Sequence, residues 1–229
     1  MKPCIILLYI LLMTACSQGK ITPDACTDKP PTLFPDYTDV TFPVNIAPPN
    51  FQITEVGDEY YTEIGFKDKV FFTQKNKRGE IIIPLKQWHK LTSEAAGKDF
   101  YIRISIRQKE RWKQYKEIRN SISTEPIDPY LVYRLLYPGY ELWNQMGIYQ
   151  RNLTTYEELP IIENKSDKSA CMNCHTFCQN NPETMMIHIR GNNGGTIISR
   201  NGSVGKVDVK KTGMNNGGTY AAWHPNRRY

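Results

Sequence analysis

The sequence predicts a mainly β chain, with an antiparallel β-sandwich over residues 51–125 followed by a small α/irregular segment over 126–190. Three observations lead there. First, side chains between 51 and 122 alternate with a period of two: Tyr60, Thr62, Ile64 and Phe66 against Tyr61, Glu63, Gly65 and Lys67, then Phe100, Ile102, Ile104 and Ile106 against Tyr101, Arg103, Ser105 and Arg107. Second, turn signals separate these runs, as at Asn76–Gly79 between Val70–Thr73 and Glu80–Pro84, which reads as a hairpin. Third, the alternation stops near 126 and aromatic residues crowd in.

Taken in order, the first element is an export signal over residues 1–15. Lys2 supplies a basic start, and Ile5 to Met13 form an apolar run too short to span a bilayer as a permanent helix. The run ends in Met13-Thr14-Ala15-Cys16, a pattern similar to the lipobox of bacterial lipoproteins, in which Cys16 is acylated and becomes the new N-terminus. Acyl chains hold a soluble body at a membrane surface, each buried CH₂ contributing about 0.8 kcal/mol. Ser17, Gln18, Gly19 and Lys20 carry no acidic cluster, so the expected location is the periplasmic face of a Gram-negative membrane.

Residues 16–50 read as a tether and an extended segment. Pro30, Pro31, Pro35, Pro43, Pro48 and Pro49 deny it a helix and favour polyproline or edge-strand conformations. Within 51–125, Leu85–Glu94 reads as a short helical connection. The formal charge of +6, from 29 basic against 23 acidic residues, is spread along the chain. Its densest run is only Lys75-Asn76-Lys77-Arg78, which fits a solvated surface and argues against a nucleic-acid partner.

Ahead of residue 151, Tyr130, Tyr133, Tyr137, Tyr140, Trp143 and Tyr149 either wall a cofactor or fill a core. After them comes Cys171-Met172-Asn173-Cys174-His175. Cys-x-x-Cys-His is the attachment signature of c-type haem. Two thiols three positions apart reach the two vinyl groups of one porphyrin edge, and the following histidine ligates the iron; a short helical turn would put all three on one side. His175 is thus the expected proximal ligand, and His188 the expected distal one, with Met185 and Met186 as alternatives. An occupied sixth position makes an electron carrier that works with a redox partner protein. No acid–base constellation accompanies the motif, so turnover is the weaker reading.

Cysteine usage agrees with export: Cys4 lies in the signal, Cys16 carries lipid, Cys171 and Cys174 hold haem, and Cys26 and Cys178 remain as a candidate disulfide. Three rival readings use the same residues. Cys171, Cys174, His175 and Cys178 are a potential zinc set, more compact than the usual two-knuckle site. Cys171–Cys174 is a potential redox disulfide without the βαβ setting of thioredoxin. Structural disulfides in a cell-envelope lipoprotein that binds a protein or glycan are the third.

Beyond Arg190 the chain is rich in Gly and Asn. Asn201-Gly202 between β-prone runs is a hairpin signal. Thr219–Tyr229, with Trp223-His224-Pro225-Asn226-Arg227-Arg228-Tyr229, resembles the opening of a TolB-type β-propeller blade. Together with Phe34-Pro35-Asp36-Tyr37, Asn45–Phe51, Ile127-Asp128-Pro129-Tyr130, Cys171–Cys178 and His188-Ile189-Arg190-Gly191, the whole resembles Gram-negative TolB-like or cytochrome c biosynthesis-like lipoproteins. In that group a β-rich domain and a Cys-Met-Asn-Cys-His motif precede a β-propeller. The resemblance implies that 191–229 is the truncated start of such a propeller, and it adds architecture more than activity.

Overall fold

A computed structural model describes residues 21–167, 170–191, 193–208 and 219–226. The expected signal at 1–15 and lipidation at Cys16 lie outside the described residues, as do Arg227, Arg228 and Tyr229. The fold is mainly β, and the described residues hold one α-helix and several sheets, none of them closed. It divides into two compact units between Pro126 and Ile127.

In the first unit the Pro-studded stretch supports only minimal strands: β1 (Ala25–Cys26), β2 (Leu33–Phe34), β3 (Thr41–Phe42) and β4 (Phe51–Ile53). Proline has no N–H for a longer ladder. The alternating runs form long strands, β5 (Glu59–Phe66), β6 (Lys69–Asn76) and β8 (Asp99–Gln108), with the short β7 (Glu80–Ile81) between them and β9 (Arg111–Gln114) and β10 (Ile118–Ile122) after. β8 is the central strand. One edge pairs antiparallel with β5, and the other takes β10 along its first half and β9 along its second. β6 extends the sheet beyond β5, while β1 and β3 add parallel pairs at β9 and β10. A smaller sheet runs β2-β4-β7.

The face carrying Phe100, Ile102, Ile104 and Ile106 is the core face. It gathers with Ile64 of β5, with Leu33, Phe51, Ile53 and Ile81 of the small sheet, and with Trp88, Leu91 and Ala95. Each isoleucine so buried contributes about 1.5–3 kcal/mol. The last three residues come from α1 (Leu85–Glu94) and its C-cap, where the i, i+3, i+7 spacing turns one stripe inward. Pro84 stands as its N-cap, and Gly97, at φ 71, carries the chain out of the helix.

The hairpin expected across Asn76–Gly79 is corrected. The turn forms, but β7 pairs with β4 and not with β6. Side chains replace the ladder: Gln74 and Asn76 donate to the Glu80 carbonyl, and Gln74 accepts from the Ile82 N–H. The true hairpin is β5–β6, turned at Lys67, whose φ is 52.

The second unit is also β, which corrects the expectation of an α/irregular segment over 126–190. β11 (Tyr130–Leu135), β12 (Gly147–Asn152) and β13 (Glu158–Glu163) make a three-stranded antiparallel meander. β14 (Ala170–Cys178), β15 (Asn181–Gly191), β16 (Gly195–Arg200) and β17 (Ser203–Val207) make a four-stranded one. Among its described residues the helical content is three short 3₁₀ turns. Ile148, Ala170, Met172, Ile187 and Ile189 form the core of this unit, with Val132, Ile162, Met185 and Ile197 packed around them. The boundary expected at 190/191 therefore falls inside a sheet. Asn201 and Gly202, both with positive φ, make the expected two-residue turn between β16 and β17.

Candidate functional site

The Cys-x-x-Cys-His motif lies along β14. The helical turn expected there is not formed, and the reason is the partner strand. Thr184–Ile189 is a continuous run with buried positions on both faces, and Gln179 and Asn180, at φ 50 and 59, fold β14 back onto it. A motif with such a partner satisfies its backbone by pairing across rather than along the chain.

A strict strand would send Cys171 and Cys174 to opposite faces, because side chains alternate. The register prevents this. Cys171 pairs with Arg190 and Met172 with Ile189, but Cys174 pairs with His188, so one residue is bulged between Met172 and Cys174. Both cysteines consequently share a face with Arg190, His188, Met186 and Thr176. Met172, His175 and Phe177 take the other face, opposite Ile189, Ile187 and Met185. That second face holds the unit's core, and the His175 ring stands edge-on to Phe177 at 6.2 Å. The structure thus places Cys171, Cys174, His188 and Met186 on one face and His175 and Met185 on the other.

Three residues not anticipated from the sequence build the surroundings. Arg190 donates from Nη2 to the Cys171 sulfur at 3.3 Å. Its guanidinium is held above its ordinary basicity, first by that hydrogen bond, then by the charge of Cys171 and, against the cost of burial, that of Cys174. Thr196, the register partner of His188 on β16, sets its hydroxyl 3.0 Å from the buried His188 Nδ1. This contact holds the His188 ring by its Nδ1. Asn164, fully buried, accepts the Met172 N–H through Oδ1 at 2.9 Å and ties the motif to the turn after β13. A register argument would have flagged Arg190 and Thr196 had 170–200 been read as two hairpins.

Cys26 and Cys178 are the other two described cysteines. Cys26 is exposed on β1 of the first unit; Cys178 is buried and lines a cavity of about 310 Å³ with Asn181, Thr184, Arg200 and Asn201. None of the four described cysteines is in a disulfide. Among the described residues, no three His, Cys, Asp or Glu side chains gather as a metal-binding group. Residues 219–226 hold no strand and dock at the β14–β15 hairpin: Trp223 Nε1 donates to the Thr176 carbonyl at 3.1 Å, and Gln179 Nε2 to the Pro225 carbonyl at 2.9 Å. Of the six aromatics ahead of the motif, Tyr149 is buried and stacks on Tyr133, whereas Tyr130 is largely exposed.

A haem held by two thioethers needs both sulfurs on one side, and the bulge supplies that. The imidazole on the same side is His188. Comparison with family models, with curated proteins and with solved structures finds no match for this chain.

Proposed function

We propose that the protein is a membrane-tethered c-type haem protein of the periplasm that handles electrons with a redox partner. The observation that carries this reading is the Cys171-x-x-Cys174-His175 sequence with both thiols on one face. When bound, haem supplies a one-electron iron centre. Cys171 and Cys174 hold it covalently through their sulfurs. His188, oriented by Thr196, offers an imidazole on the cysteine face, and Met186 shares that face. Ligation by His175, which the order of the motif assigns, requires β14 to turn at Cys174–His175; ligation by His188 does not.

The export-type N-terminus supports the compartment, because covalent haem attachment of this kind belongs to an exported protein. The four-stranded meander β14–β17 has the strand number of a propeller blade. In that detail it suits the resemblance to TolB-like lipoproteins, with the sandwich-like first unit ahead of it.

The test is a haem stain on a denaturing gel of the exported protein, produced in a host that matures c-type cytochromes. A stained band at the mature mass is expected. Well-expressed but unstained protein would overturn the reading in favour of an envelope-binding lipoprotein.

A further inference from the structure

Haem attachment uses the two sulfurs but gives no task to Arg190, which sits on one of them. Cys171 and Cys174 share a face only because of the bulge, and both are partly accessible. Their register partners, Arg190 and His188, are two residues apart on β15. The two Cα atoms are therefore spaced by about two strand residues, roughly 6.4–6.8 Å. Without the bulge the span would be three residues, roughly 10 Å. Disulfides close Cα separations of about 4.4–6.8 Å, so the bulge brings the pair to the upper edge of that range. The two thiols also differ. Cys171 carries the guanidinium contact at 3.3 Å, whereas Cys174 faces His188 and adjoins the bulge. A positively charged partner on an accessible sulfur is the setting of an attacking thiol.

We infer that Cys171 and Cys174 form a thiol–disulfide exchange pair, with Cys171 as the attacking sulfur, Arg190 as its counter-ion and Cys174 as the resolving sulfur. The partner is a disulfide-bearing molecule, either low-molecular-weight or a protein. The Cys171 sulfur, as thiolate, attacks one partner sulfur; the partner S–S bond breaks and one half leaves as a thiolate. Cys174 then gives up its proton, attacks the Cys171 sulfur and expels the other half. Two electrons pass from the pair to the partner, whose two halves leave as thiols with the two protons. Closing a span at the edge of the allowed range strains the product, and strained accessible disulfides are the readily reduced ones. This activity goes beyond the haem reading and belongs to the haem-free chain.

The experiment uses the full mature chain without haem, equilibrated across ratios of glutathione to glutathione disulfide. Free thiols are trapped with iodoacetamide and the cysteines mapped by mass spectrometry. A Cys171–Cys174 link is expected, reversible at mild reducing ratios. Cys174→Ser is expected to stop at a glutathione adduct on Cys171. In that background Arg190→Leu slows adduct formation about tenfold, the loss of one charge-assisted hydrogen bond, and Arg190→Lys restores part of the rate. Far-UV circular dichroism reports whether the Arg190 variants keep the β-fold; if Arg190→Leu does not, the ratio of Arg190→Lys to wild type carries the comparison. Cys171 and Cys174 both alkylated at every ratio would overturn the inference, as would adduct formation at Cys174 with equal speed in Cys171→Ser. A stained haem band with no exchange leaves the haem reading standing and removes this one; exchange without staining does the reverse.

Discussion

Asn164 Oδ1 accepts the backbone N–H of Met172 at 2.9 Å, joining the turn that follows β13 to the middle of the cysteine motif. Its own N–H donates to the Met146 carbonyl, so one buried residue pins two segments of the second unit. Asn164→Leu leaves the Met172 N–H without its acceptor inside the protein, at a cost of about 1–3 kcal/mol. Asn164→Asp keeps the acceptor. Urea denaturation should therefore place the leucine variant well below wild type, and an unchanged midpoint would remove Asn164 from this role.

In the first unit the corresponding anchor is Trp88. The ring is 1 % exposed, stands edge-on to Phe42 and Phe100 at 5.7 and 5.6 Å, and donates from Nε1 to the Ile46 carbonyl at 2.8 Å. It thereby fastens the Pro-rich segment to α1. Trp88→Ala should destabilise the unit by about 3–5 kcal/mol, the usual cost of emptying a large aromatic site. Trp88→Phe should lose less, mainly the hydrogen bond. Chemical denaturation of both variants measures the difference.

Two tyrosine–carboxylate pairs set a pH window for the second unit. Burial, then the hydrogen bond to Glu158, pushes the Tyr133 hydroxyl up to about 12, and burial with Glu163 raises Tyr149 as well. Glu163 is lowered, first by its bond to Lys165 and then by the Tyr149 hydroxyl at 2.8 Å. A raised tyrosine contributes stability below its unfolded value of about 10, and that contribution is lost as pH rises through the folded value. A lowered carboxyl contributes above its unfolded value, and the contribution is lost as pH falls through the folded one. Melting temperature should accordingly hold level between about pH 5 and 10 and fall on either side. Glu163→Gln should flatten the acid limb. Glu158→Gln should bring the ultraviolet titration of Tyr133 only part-way toward 10, because burial is the larger cause.

The period-two runs at 60–67 and 100–107 were legible because β5 and β8 bury one face against an apolar core. Ile102, Ile104 and Ile106 therefore announce the core face directly. Leu85–Glu94 was legible for the parallel reason in a helix. The partner of Glu80–Ile81 was not, since side-chain amides of Gln74 and Asn76 substitute for a ladder. In the second unit the motif itself conceals the strand. A Cys-x-x-Cys-His sequence suggests a turn, whereas Gln179-Asn180 is a two-residue hairpin without the usual glycine. The bulge that reunites Cys171 with Cys174 has no local signal; it depends on the pairing of β14 with β15. Arg190 and Thr196 stayed hidden because they reach the motif across strands.

The last prediction separates the two imidazoles. Cys174→Ala should abolish covalent haem whichever histidine ligates. If β14 keeps its strand, His188 is the imidazole beside the sulfurs, and Thr196 on Nδ1 sets its ring. His188→Ala should then shift the visible spectrum while haem stays attached, and Thr196→Val should move it less, by freeing the ring rather than removing it. His175→Ala should leave that spectrum nearly unchanged, since His175 lies on the core face. The opposite pattern, a large shift for His175→Ala and none for His188→Ala, would mean that β14 turns at Cys174–His175 when haem is bound. Circular dichroism would then register strand lost between the haem-free and haem-bound chains, because the β14–β15 pairing from Cys174 onward depends on that segment staying extended.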